Sequence, residues 1–155
     1  MDAITFRIYG EPKGKQRPKF SRQGNAVRTY TPSQTVEYEK RVVEAFRRSG
    51  GDGFWCSKDE YFSMCVIAYF AMPKNATRKQ KAKMLSNPPE IYPKKPDCDN
   101  IGKIIADALN EIAYFDDSRM HTQTVIKRYT EGEPYVAVYL GKVNQNNEKT
   151  NSVQN

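Results

Sequence analysis

Between Lys95 and Met120 the chain reads KPDCDNIGKIIADALNEIAYFDDSRM, which places Asp97, Asp99, Asp107, Asp116 and Asp117 in a protein whose formal net charge is +7. Carboxylates are hard oxygen ligands, suited to a hard divalent cation. A basic surface collects a polyanion. Acid clustered inside a basic chain therefore points to metal-assisted chemistry on a nucleic acid. Magnesium keeps several waters, so two or three carboxylates and a phosphate oxygen suffice to hold it. Asp99, Lys103 and Asp107 stand at i, i+4 and i+8 and share one face of a helix. Lys103 is placed to hold a phosphate or a leaving group. Asp107 has a blander reading, a pair with Lys103 at i, i+4. Asp97 precedes the helix, where a carboxylate either caps it or turns toward a metal. Asp116 and Asp117 follow Tyr114 and Phe115, and return toward Asp97 and Asp99 if the helix packs antiparallel to the next strand. Taken singly, each acid is more often a cap or a solvated side chain. Several acids converging in one place repel unless a cation offsets them.

The elements that must position these groups follow from periodicity. Ile101, Ile104, Ile105, Ala108, Leu109 and Ile112 recur at helical spacing and fix which face of the helix after Asp97 is buried. Residues 3–9 (AITFRIY) alternate as a strand, and 61–71 (YFSMCVIAYFA) read as a long buried one. Gly10 to Ala26 is loop-like. Pro32 and Ser33 open a helix with Ser33 as its N-cap, and Gly50–Gly51 stop it. A cationic helix from about Thr77 to Leu85 follows Pro73, and prolines keep residues 87–96 extended. Residues 121–130 and 134–140 read as two strands of a hairpin joined by EGEP. The sum is one α+β domain over residues 1–141, a mixed or mostly antiparallel sheet with helices packed on it. Residues 142–155 form a polar, disordered tail by composition.

The motif KPDCDNIGKIIADALN followed by YFDD resembles the RusA-type Holliday junction resolvases. Their signature is a basic residue, (P)DxDN, a lysine, DAL(N) and a DD pair. GEPKGKQRPKF is similar to the family's G-x-P-x-x-K-x-R-P-R opening, and the likeness spans roughly residues 5–140. One departure is local: Ala113 follows the helix directly, where some members have a longer glycine-containing turn. The resemblance implies a small homodimeric endonuclease that uses Mg²⁺, with Mn²⁺ as a substitute, and resolves four-way DNA junctions by paired symmetric nicks. It implies Asp97, Asp99 and Asp117 as catalytic and metal-binding carboxylates, Asp116 as a weaker metal companion, and Lys103 as the essential lysine.

The remaining charge suits DNA. Lys13, Lys15, Arg17, Lys19, Arg22 and Arg28 form an acid-free run that reads as a phosphate-binding arm. Phe20 and Tyr30 flank it as candidates for stacking on unpaired bases, and also as candidates for the core. Lys79, within a second basic run, and Lys95 are further backbone contacts, with a solvated surface as the alternative. A two-fold dimer matches a junction's symmetry. Cys56, Cys65 and Cys98 form no CxxC pair, which argues against zinc and disulfides and fits a cytoplasmic, nucleoid-associated protein without an organic cofactor or membrane span. His121, the only histidine, starts a strand, so histidine chemistry has little support. The competing readings are a non-catalytic junction-binding protein and a nuclease of other branched DNA. Retention of the acids and Lys103 speaks against the first, because binding a polyanion favours losing acids.

Overall fold

The computed structural model describes residues 1–144. In chain order the elements are β1 (Ala3–Tyr9), β2 (Lys19–Gln23), β3 (Ala26–Tyr30), α1 (Ser33–Arg48), β4 (Phe62–Ala71), α2 (Arg78–Met84), α3 (Cys98–Leu109), β5 (Met120–Thr130) and β6 (Tyr135–Lys142). Short 3-10 turns occupy Gly51–Gly53 and Asp117–Arg119. The main sheet has the order β1-β6-β4-β5, and β2-β3 form a separate two-stranded ribbon. β4 is parallel to β5, whereas β6 is antiparallel to both of its neighbours. The mixed sheet and single α+β domain agree with the sequence reading.

β4 is the centre of the sheet because alternate residues, Phe62, Met64, Val66, Ala68 and Phe70, are buried along its whole length. Ile4, Phe6 and Ile8 of β1 and Val136, Val138 and Leu140 of β6 are buried with them. α1 adds Thr35, Tyr38, Val42 and Phe46, spaced by helical turns, and α3 adds Ile101, Ile104, Ile105 and Leu109. Each buried aliphatic side chain of this kind contributes about 1.5–3 kcal/mol. The opposite face, with Tyr9 and Tyr139, stays exposed. No helix among the described residues is long and apolar enough to cross a membrane.

Several expectations need correction. β5 and β6 are not a hairpin. β4 lies between them, and the residues 131–134 step across its end. The turn chemistry was present, but β4 offers long ladders to both partners and takes them. Residues 10–26 are not all loop: Lys19–Gln23 pairs with Ala26–Tyr30 around Gly24 and Asn25. Gly24 adopts φ 62, the left-handed value that tight hairpin turns require of their glycine. Pro32, not Ser33, is the N-cap of α1, and no side chain caps it. Ile112 lies beyond the end of α3 and is only partly buried. Lys142 ends β6, and from residue 145 the tail expected over 142–155 lies outside the described residues. The cationic helix is present as α2, with Thr77 and Gln80 forming a reciprocal capping box at its start.

Candidate active site

α3 is held against the sheet at both ends. At its start, Lys127 of β5 donates from Nζ to the carbonyls of Lys94 and Pro96 at 2.6 and 3.0 Å. Ile91 bridges to Arg128, so the proline-rich segment is pinned along the edge of β5. The Cys98 thiol lies 3.7 Å from the Val125 carbonyl oxygen. One turn further on, a Cβ at Gly102 would meet the Gln123 side-chain amide and sit 3.1 Å from Val125 Cγ2. Glycine is thus what lets helix and strand approach so closely. Residue 98 lies by 125 and 102 by 123, so the helix runs antiparallel to β5, the geometry required to bring the two acidic motifs together.

At the other end, Tyr114 is buried and stacks on Phe62 with ring centroids 4.3 Å apart. Its hydroxyl donates to the Ala106 carbonyl at 2.6 Å. That carbonyl needs the donor, because Asn110 N–H, which would continue the α-helical ladder to it, bonds to Asp107 O instead. Glu111 turns the chain with φ 61, and the Phe115 N–H and Cys56 carbonyl fix the exit strand at 2.9 Å. Burial first, and then the nearby Asp117, Asp107 and Asp116, push the Tyr114 phenol far above its ordinary pKa. The Asn110 side-chain oxygen accepts from Asp117 N–H at 3.0 Å, tying the aspartate pair to the end of α3.

Asp99, Lys103, Asp107 and Asp117 consequently line one open cleft of about 540 Å³, together with Ser118, His121 and Gln123. Asp97 is not in that cleft. It sits at the N-cap position of α3, makes no capping hydrogen bond with its side chain, and is exposed. It lines an adjoining cavity instead. Asp116 is engaged differently: its carboxylate accepts from Ser118 N–H at 3.3 Å and caps the 3-10 turn. The hydrogen bond to Ser118 holds its pKa below the ordinary carboxylate value.

Asp107 does not pair with Lys103 as expected from the spacing. Its Oδ2 lies 3.0 Å from Lys15 Nζ, which also contacts Glu39 Oε1 at 2.6 Å. Burial opposes the charge on Lys15, but hydrogen bonds to Glu39 and Asp107 outweigh it and raise the lysine pKa. Lys15 therefore fastens the loop before β2 to α1 and α3, and Lys103 is left facing the cleft without an ion-pair partner among the described residues.

Among the described residues no group of three or more His, Cys, Asp or Glu side chains is gathered tightly enough to hold a metal by itself. The cleft supplies carboxylate oxygens from two directions, Asp99 and Asp117, with Asp97 two residues from the first. An all-oxygen, partial donor set suits a cation that retains waters and takes phosphate oxygens as further ligands.

Of the predicted DNA contacts, Lys13, Arg17, Lys19, Arg22, Lys79 and Lys95 are exposed. Phe20 and Tyr30 are 74% and 49% exposed, which removes the core reading. The ribbon register pairs Phe20 with Thr29 and Tyr30 with Lys19. The two rings therefore point to opposite faces and form no common platform; Val27, 62% exposed, shares the face of Phe20. Sequence reasoning missed the positioning roles of Asn110, Gly102 and Lys127 and the place of His121 in the cleft. Asn110 closes the DALN motif and was the one with a sequence signal.

Comparison with known proteins agrees with this geometry. Residues 9–140 match the family described as endodeoxyribonuclease RusA. The chain is also similar to the uncharacterized protein YqaN of Bacillus subtilis (strain 168), with 33% identity over 144 residues covering 92% of this chain and 99% of that protein. Nucleases of the matched family generally depend on a divalent metal. The family match spans most of the chain and includes both acidic motifs and the strands between which they meet, so the protein belongs to the RusA endodeoxyribonucleases, Holliday junction resolvases that cut DNA by hydrolysis.

Proposed function

We propose that the chain acts as a homodimer and resolves four-way DNA junctions by paired symmetric nicks, with Mg²⁺ as its natural metal and Mn²⁺ as a substitute. The observation that carries this reading is the shared cleft of Asp99, Lys103 and Asp117, with Asp97 uncapped at the same helix start. A divalent cation bound there would neutralise charge at the scissile phosphate and activate a water. The carboxylates of Asp97, Asp99 and Asp117 would hold that cation, which would supply an activated water. Asp116 keeps the turn in place through Ser118. Lys103, exposed on the wall of the cleft, donates to a phosphate oxygen as negative charge builds up on it.

The β2–β3 ribbon supplies the second half of the reading. It carries Lys19, Arg22 and Arg28 on a two-stranded arm with exposed apolar side chains at Phe20 and Val27. Two-stranded ribbons enter DNA grooves, and apolar side chains wedge between unstacked bases. The cations hold the backbone while Phe20 covers a base exposed at the branch point. Lys79 extends the contact to a flanking arm, and Lys95 contacts the strand beside the cleft. A DNA substrate of this kind fits a cytoplasmic, nucleoid-associated protein.

Incubation of the purified protein with an end-labelled four-way junction and a linear duplex of the same sequence, in Mg²⁺ or in EDTA, tests the proposal. Symmetric nicks in the junction alone, only with Mg²⁺, are expected. Equal cutting of the linear duplex would remove the junction selectivity, and binding without cutting in any divalent metal would leave a junction-binding protein.

A further inference from the structure

Beside the cleft, a second cavity of about 430 Å³ opens between the loop before β2, the start of α1 and the start of α3. Lys13, Lys95, Gln34, Asn100, Asp97 and Glu11 line it. Its walls are fastened. Lys15 N–H donates to the Asn100 carbonyl at 2.9 Å, and the Lys15 ammonium is locked between Glu39 and Asp107. A Cβ at Gly14 would lie 2.8 Å from Pro96, so the loop reaches α3 as closely as backbone permits. The volume lies within the range of small-molecule sites.

The chemistry of the walls is that of a nucleotide site. The Lys13 and Lys95 ammonium groups suit phosphates, the Gln16, Gln34 and Asn100 carboxamides present donors and acceptors that read base edges, and Glu11 adds a second carboxylate beside Asp97. Location adds to this. Asp97 lines this cavity and Asp99, two residues along, lines the cleft, so a strand cut at the cleft passes the mouth of the cavity within a nucleotide or so. Gln34 also borders a depression at the base of the basic ribbon, on the far side.

We propose that this cavity receives one unstacked nucleotide of the DNA strand beside the scissile phosphate. Lys13 and Lys95 hold its phosphates, and Gln34 and Asn100 read its base, so the cavity sets the sequence preference of cleavage. This rests on the reading under Proposed function. A strand opened at a branch point can supply such a nucleotide at lower cost than an intact duplex.

The test uses four-way junctions carrying 2-aminopurine at each position around the cut, bound to the full-length protein in Ca²⁺. A fluorescence rise at one position in each nicked strand is expected, and it should vanish in Gln34→Trp, which fills the mouth from an exposed position on α1. In Mg²⁺ the ratio of cleavage rates between best and worst sequences should fall about tenfold in Gln34→Trp and in Asn100→Ala, with junction cutting retained. The proposal is overturned if no position brightens while junctions are still cut, or if both variants leave the preference unchanged. A wild-type protein that neither binds nor cuts junctions would overturn the functional reading together with it.

Discussion

Removing one oxygen atom from Tyr114 isolates the contact that sets the distance between the two acidic motifs. Tyr114→Phe keeps the ring and its stack on Phe62 but deletes the 2.6 Å hydrogen bond to the Ala106 carbonyl. That carbonyl lies in a nearly buried turn of α3, and Asn110 N–H is committed to Asp107, so no backbone donor replaces the hydroxyl. A buried acceptor left without a donor costs about 1–3 kcal/mol. Taking about 2 kcal/mol, and about 3 °C per kcal/mol for a domain of this size, the melting midpoint should fall by about 6 °C. Thermal unfolding followed by far-UV circular dichroism measures this, with Tyr30→Phe on the exposed ribbon as a control that should stay within about 1 °C. Asp117 hangs from the same turn, so junction cleavage should fall as well, even well below the midpoint. A midpoint unchanged in Tyr114→Phe would refute the claim that this hydroxyl satisfies the end of α3. A stability loss with wholly unchanged cleavage would show that the turn does not position Asp117.

Other expectations follow from the same contacts. Lys15→Met removes the cation between two partly buried carboxylates and should destabilise by about 1 kcal/mol, read by chemical denaturation. Because the folded-state pKa of Lys15 is raised above 10.5, its stabilisation is fully present below that pH and is lost as pH rises through the folded value; the gap between wild type and Lys15→Met should be flat from about pH 6 to 9 and narrow above about 10.5. Gly102→Leu should displace Gln123 and Val125 and part α3 from β5, with a stability loss of about 2 kcal/mol and a larger loss of cleavage. Substituting Arg17, Lys19 and Arg22 together with alanine should lower the salt dependence of junction binding by about 2–3 in the log–log slope, measured by anisotropy, without lowering the melting midpoint.

How far the sequence discloses this protein differs from element to element. α3 was legible because five of the six apolar residues at helical spacing, Ile101 to Leu109, lie in it and are buried, and that stripe alone orients Asp99 and Lys103. The position of Asp117 opposite them depended on antiparallel packing, which Gly102 makes close and Tyr114 terminates. Neither contact is a matter of local periodicity. The β5–β6 pairing failed for a related reason. EGEP is an adequate turn, but strand partners are chosen over the whole sheet, and β4 competes successfully for both strands. The β2–β3 ribbon was concealed by its polarity: nearly every residue is exposed, so no alternation of apolar residues marks it. Its turn signal at Gly24–Asn25 was present in the chain, embedded in a run of cations. The Lys103–Asp107 pair expected from i, i+4 spacing lost to Lys15, a residue distant in sequence that no local rule brings near α3.

The central claim is that the cleft between α3 and the Asp116–Asp117 turn cuts DNA, and the rate of junction cleavage by Asp117→Asn, measured beside its junction affinity, tests it most directly. The substitution preserves shape and removes one carboxylate charge from the cleft wall. A fall in rate of about a hundredfold or more, with affinity unchanged or tightened, is the predicted result. Cleavage at the wild-type rate, or a rate lost only in proportion to lost binding, would contradict it.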